Sequence, residues 1–196
     1  KMERIENLYS YMICHWSKPD TLVIGGELLN TPLIKPNFWL EPYDNIHRMM
    51  YLDTISYLPD DILVKVDRAA MSVSLETRLP FLNHKVVESA WSLPLNKKIR
   101  SNKGKWILKK ILKKYIPENL TDKPKKGFAV PIDTWLRTDL KDWGESLLDK
   151  TLLTSQGYFN PKPIRKKWEE HCSGNKDWHH HLWDILMFQS WLEKNK

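Results

Sequence analysis

Twelve prolines, running from Pro19 to Pro163, limit how long any regular element of this chain can be. Proline has no N–H to give to a helical ladder, and it turns the residue before it away from helical angles. Between the prolines the apolar residues recur at helical spacing rather than alternating. The sequence therefore predicts a mainly α protein made of short helices. Glu3 to Trp16 reads as the first, with Leu8, Tyr11, Met12 and Trp16 on one stripe and Pro19 as its stop. Thr21 to Pro42 reads as irregular, with a short extended piece at Leu22-Val23-Ile24. Its Gly25-Gly26 lacks the rest of a phosphate-binding motif. Tyr43 to Leu58, Lys85 to Leu93 and Lys105 to Ile116 read as helices stopped by Pro59, Pro94 and Pro117. Asp133 is read as the cap of a short helix through Leu136, with a continuation over Asp139 to Asp149. A helix from Pro161 to about His171 ends near Gly174. The last, Trp178 to Leu192, is apolar around most of its circumference, which predicts burial on several sides.

The densest information lies in Tyr57 to Asn83. An aspartate after Pro59, either Asp60 or Asp61, is placed to cap a helix. Ile62, Leu63, Val66, Ala69, Ala70 and Val73 fill one arc of that helix, and Asp61, Lys65, Arg68 and Ser72 run down the other side. Glu76 and Arg78 stand against the apolar run Leu79-Pro80-Phe81-Leu82. Charges that close to apolar residues are expected to be paired and buried, here fixing the turn into Pro80.

Charge is unevenly spread. Lys97 to Lys126 holds twelve basic and two acidic residues, a net of +10, so the remaining 19 basic and 22 acidic residues give −3 against a total of +7. A segment of that kind suits nucleic acid, another polyanion or the phosphates of a nucleotide. Two cysteines, Cys14 and Cys172, make neither a disulfide framework nor a metal cluster, which fits a reducing, cytoplasmic setting. No apolar run approaches the roughly 18–20 residues a membrane helix needs. The charged start shows no leader, and a first residue other than methionine suggests an excised piece. Consecutive histidines at 179, 180 and 181 point in different directions on a helix, which argues against a shared metal ion. Most of the ten tryptophans sit at helical spacing among apolar neighbours and read as core.

The order of residues from Asp60 to Leu82 resembles the glutamine-hydrolysing asparagine synthetase family. The resemblance is carried by Asp60-Asp61-Ile62-Leu63, Lys65, Asp67-Arg68, Met71-Ser72, Ser74-Leu75-Glu76, Arg78 and Pro80-Phe81-Leu82. A second block, Lys123 to Pro131 followed by Trp135 and Leu136, supports it. Leu182 to Gln189 is similar to relatives from bacterial surface-polysaccharide loci. The resemblance covers nearly the whole chain. It implies the helical C-terminal portion of an α/β, adenine-nucleotide-binding synthetase domain of the ATP pyrophosphatase-like type, over residues 1–196. The pyrophosphate loop, the acidic glycine-rich segment and the nucleophilic cysteine of the glutaminase domain have no counterpart here. In such an enzyme ATP, with Mg2+, adenylates the aspartate β-carboxylate, and glutamine-derived ammonia displaces AMP. The resemblance puts Lys125 at the synthetase lysine, with Lys126 as a neighbour one register away. It gives Asp61, or Asp60, the acidic role near the pocket. It also implies aspartate, ATP and ammonia as partners, a homodimer as a form open to the parent, no nucleic acid and no membrane. The fragment alone is expected to be inactive. The polysaccharide-type ending leaves another acceptor open, such as a sugar acid. A basic nucleic-acid-binding or interaction module is the alternative reading of the same charge.

Overall fold

In the computed structural model, residues 5–27, 31, 44–121 and 130–195 are described. The chain divides into two compact units, Lys1–Pro36 with Phe128–Lys196, and Asn37–Gly127. The α-helices among the described residues are α1 (Ile5–Ile13), α2 (Asn45–Ile55), α3 (Val64–Met71), α4 (His84–Ser92), α5 (Leu95–Lys98) and α6 (Trp106–Leu112). They continue as α7 (Glu118–Thr121), α8 (Ile132–Arg137), α9 (Lys141–Leu147), α10 (Lys150–Gln156), α11 (Pro161–Cys172) and α12 (His179–Lys194). Extended pairing among the described residues is limited to two isolated bridges, Val23 with Phe159 and Arg100 with Lys103. The mainly helical expectation holds for these residues.

The first unit is organised around α12. Its Leu182, Ile185 and Leu186 pack with Leu136 of α8, Leu147 and Leu148 at the end of α9, Leu153 of α10, and Ile164 and Trp168 of α11. Each fully buried side chain of this size contributes about 1.5–3 kcal/mol. Gly144 lets α9 and α11 approach closely. A Cβ there would lie 2.6 Å from the Trp168 ring. The Trp168 indole N–H donates to Glu145, whose other carboxylate oxygen pairs with Arg165 Nη2 at 2.8 Å. The extended piece expected at Leu22 to Ile24 joins this core. Ile24 N donates to Tyr158 O at 2.9 Å, and Asn160 N donates to Leu22 O at 2.8 Å. Helix α1 differs from its expected stripe. It buries Tyr9, while Leu8, Tyr11 and Met12 are exposed. The helix stops at Ile13, so Trp16 leaves its line and reaches the core from the following segment. Asp133 does not cap α8 either. Pro131 holds the cap position, and the Asp133 carboxylate pairs with Arg137 at 3.3 Å instead.

The second unit buries little. Leu52 is its one fully buried apolar side chain among the described residues. Asp44 opens α2 by accepting from Ile46 N and His47 N. The α-helix stops at Ile55, four residues before Pro59, where the proline ring would meet the Ile55 carbonyl. The chain then widens into a π-helical turn, Leu58–Leu63, before resuming as α3. Pro59 therefore interrupts a helical path rather than ending it. Past α3, Leu75 N donates to Ala70 O and Ser74 N donates to Met71 O, both at 3.0 Å. This is a Schellman closure with Ser74 in the left-handed position, at φ 59°. A 3-10 turn at Pro80–Leu82 leads to Asn83, whose side chain accepts from Lys85 N and caps α4. Ser101 and Asn102, at φ 50° and 59°, form a type I′ turn joining Arg100 to Lys103.

Candidate functional site

Asp60 and Asp61 sit in the first turn of the π-helical segment, where Asp60 N already donates to Ser56 O at 2.9 Å. Neither makes the expected capping hydrogen bond. The turn runs on from a helical residue, Tyr57, so there is no extended cap position for an aspartate to occupy. Asp61 Oδ1 instead pairs with Lys65 Nζ at 3.6 Å, one turn along. An exposed pair of this kind contributes only about 0.3–0.5 kcal/mol, so a ligand can displace it at small cost. Below it, Pro59, Leu63, Val66, Asp67, Leu79 and Leu82 line a groove of about 420 Å3. The apolar arc expected for α3 is half-buried at Ile62, Leu63, Val66 and Ala70, while Ala69 and Val73 are exposed.

Glu76 and Arg78 do pair, at 2.5 Å, but they are exposed rather than buried, at 69% and 80%. The segment they occupy lies on the outside of the unit, beside an exposed Phe81. At that position the pair is screened by water and cannot fix the turn as a buried pair would. Lys125 and Lys126 lie outside the described residues. In sequence they fall between Thr121, the end of α7, and Val130.

The basic segment folds around Trp106. Lys110 Nζ, Arg100 Cζ and Lys97 Nζ stand 5.0, 5.2 and 5.6 Å from the centre of its ring. Lys103, Lys109, Lys113, Glu118 and Thr121 complete the wall of a hollow of about 170 Å3. Lys113 forms a short ion pair with Glu118.

One constellation was missed by sequence reasoning. Asp44 Oδ2 lies 2.6 Å from His47 Nδ1, and His47 Nε2 lies 3.1 Å from Lys98 Nζ. Hydrogen bonding from His47 holds the Asp44 carboxyl below its usual range. Burial lowers the Lys98 ammonium, with the Asp44 charge partly offsetting it. Asp44 and His47 sit three residues apart at a helix start, which is a readable signal. Lys98 comes from a different helix and has none.

In the first unit the histidines gather near Trp16 and Trp178 without forming a metal cage. Among the described residues no group of three or more His, Cys, Asp or Glu is placed to hold a metal ion. His15 Nδ1 lies 2.9 Å from Asp184, and His180 stacks on His15. Burial, then the Lys167 charge, pushes His181 down to about 4. His171 is fully buried. Trp178 N donates to its Nδ1 at 3.2 Å, while Nε2 faces Asp133 O at 3.2 Å. Those contacts fit the neutral ring with its proton on Nε2. Burial and the neighbouring Arg137 lower its basicity.

A family model described as asparagine synthase matches residues 2–193. A putative glutamine-hydrolysing asparagine synthetase of Mycobacterium tuberculosis is 35% identical over 76% of this chain and 23% of its own length. Glutamine-hydrolysing asparagine synthetase 1 of Bacillus subtilis is 30% identical over 78% of this chain and 24% of its own. The amidase chyE of Penicillium rubens is 29% identical over 71% and 23%. The chain thus spans about a quarter of the length of these relatives. No solved structure matches it significantly.

Proposed function

The chain belongs to the asparagine synthase family, and on that premise we propose that it serves as the C-terminal helical part of the synthetase domain in an ATP-dependent amidotransferase. One observation carries the reading: the family match runs through residues 2–193 and takes in both the Asp60–Leu82 and Lys123–Pro131 blocks. The uncovered apolar side chains of the second unit, among them Tyr57, Met71, Val73 and Phe81, support packing against further protein.

In the proposed reaction a carboxylate oxygen of the acceptor attacks the α-phosphorus of ATP. The bond to the β-phosphate oxygen breaks, and pyrophosphate leaves. Ammonia from glutamine then attacks the acyl carbon, loses a proton, and AMP departs with the bonding electrons. The Lys125 ammonium stands by the phosphates and offsets charge as it builds on the leaving pyrophosphate, with Lys126 beside it. Asp61, or its neighbour Asp60, accepts hydrogen bonds from the acceptor or the incoming ammonia. Mg2+ enters with the ATP phosphates as part of the substrate. The described residues make no metal site of their own. Aspartate is the first acceptor to test; a sugar acid or another carboxylate would use the same two steps.

The test is aspartate-dependent exchange of labelled pyrophosphate into ATP by the full-length parent, with and without Lys125→Ala. Exchange that disappears in a variant still folded places Lys125 at the pyrophosphate. Exchange untouched by the substitution removes it from the site. A parent that exchanges with another carboxylate, and not with aspartate, moves the acceptor and leaves the two-step chemistry in place. The isolated 196 residues should show no exchange, and turnover by them alone would overturn their role as one part of a larger site.

A further inference from the structure

We infer that Lys98 is a nucleophilic amine that accepts an acyl group from an activated carboxyl, such as an acyl phosphate or an active ester, with His47 as the base that takes its proton. Three helices of the second unit meet at this side chain. Lys98 is the last residue of the short helix α5, which Pro94 starts. His47 lies in the first turn of α2, behind the cap residue Asp44, and Trp91 lies on α4. Lys98 Nζ stands 3.1 Å from His47 Nε2 and donates to the Trp91 carbonyl oxygen at 3.4 Å. On the other side of the ring, His47 Nδ1 stands 2.6 Å from Asp44 Oδ2. An ionised carboxylate only accepts, so Nδ1 carries the ring hydrogen and Nε2 presents its lone pair to the amine. The order is carboxylate, imidazole, nucleophile. The same order activates a hydroxyl or a thiol, and here an amine stands in the last place.

The acceptors around Lys98 match the neutral amine. Its two N–H bonds are taken by His47 Nε2 and the Trp91 carbonyl, which leaves the nitrogen lone pair for an incoming carbon. The ammonium has a third hydrogen, and among the described residues no carboxylate pairs with it. The Trp91 ring, 5.2 Å away, holds the ammonium at rest. Burial lowers its basicity, and the Asp44 charge partly offsets that. His47 supplies the route out for the proton. The ammonium gives one proton to His47 Nε2, and water removes it. The neutral nitrogen then bonds to the acyl carbon, and the bond to the leaving oxygen breaks with its electrons going to that oxygen. The surplus proton on nitrogen follows the same route through His47, with Asp44 steadying the imidazolium. The product is a neutral amide. Lys98 is half-buried, so a small reagent can reach it. The site does not depend on the adenylation reading. It stands on residues outside the Asp60–Leu82 and Lys123–Pro131 blocks, and its failure would leave that reading intact.

The test is competitive acetylation of the full-length parent, without ATP, by acetyl phosphate and separately by p-nitrophenyl acetate. Peptide mass spectrometry follows each lysine. Lys98 should react about tenfold faster than the exposed Lys85 and Lys150 with both reagents. That is less than the roughly hundredfold of an enclosed catalytic base, because Lys98 is half-open to water. Asp44→Asn keeps the helix cap, since asparagine caps as well as aspartate. Its amide N–H bonds face Nδ1, however, and move the ring proton to Nε2, which can then no longer accept from Lys98. Nitrogen-15 NMR of His47 should show that change of tautomer while the thermal midpoint stays in place. The Lys98 rate should fall to that of Lys85, and His47→Gln should lower it equally. Lys98 reacting no faster than Lys85 and Lys150 would overturn the proposal, as would an excess that survives both substitutions. An excess with acetyl phosphate alone would also overturn it, because it reports attraction of an anion to a basic segment and not an activated amine.

Discussion

Three histidines of the first unit, His171, His180 and His181, are lowered by burial first of all, and this fixes the direction of the unit's pH dependence. His181 is pushed from 6.5 to about 4, first by burial and then by Lys167. His171, fully enclosed, is also lowered. The unfolded chain therefore binds protons near pH 6.5 that the folded chain refuses, so stability is complete above 6.5 and falls as pH drops towards 4. Thermal unfolding of the chain should show that loss below pH 6.5. His171→Leu should flatten the slope while lowering the midpoint at neutral pH, because Trp178 N loses its acceptor. Gly144 gives the second prediction at this scale. A methyl group there meets the Trp168 ring at 2.6 Å, and that ring is enclosed and tied to Glu145. Gly144→Ala should cost about 1–3 kcal/mol in denaturant unfolding, the usual cost of overpacking a core. A neutral result would mean that α9 and α11 separate freely.

At the level of elements, backbone closures decide where helices stop. Ser74 closes α3 in a conformation that costs a residue with a side chain about 1–2 kcal/mol. Ser74→Gly should therefore stabilise the second unit by up to about 1 kcal/mol, after the added freedom of the unfolded chain is subtracted. A destabilised variant would show that the Ser74 side chain does more than close the helix. Asp149→Ala should cost about 1 kcal/mol, since its carboxylate accepts from Leu152 N at 2.9 Å to open α10. That helix also shows what the sequence concealed. Its start at Asp149 and its stop at Gly157, φ 73°, are both ordinary signals, yet the expected helix over Asp139 to Asp149 ends where α10 begins, and no helix was expected over Lys150–Gln156. Helices α6, α11 and α12 were legible because long periodic runs lie between prolines or glycines. Burial was less so. Leu8, Tyr11 and Met12 look like a core stripe, but Tyr9 faces the core, because periodicity records an apolar face and not the partner that covers it. The Glu76–Arg78 pair was legible as a pair; its exposure follows from packing that sequence does not express. Lys125 and Lys126 rest on resemblance alone.

Across the molecule the two units differ in how much they bury. The first holds a continuous core of leucine, isoleucine, phenylalanine and tryptophan side chains, while the second encloses Leu52. Hydrogen exchange should follow that difference, with amides of α3, α4 and α6 exchanging well before those of α11 and α12. Comparable protection in both units would contradict it. The exposed Tyr57, Val64, Met71, Val73, Leu75 and Phe81 have a further consequence for handling this chain alone. Its colloidal behaviour is set by a contest between sticky contacts at those residues and mutual repulsion from a net charge of +7. Salt shortens the reach of that repulsion and leaves the apolar contacts in place. Solutions of the isolated chain should thus cloud as sodium chloride is added, where most proteins of this charge would stay clear.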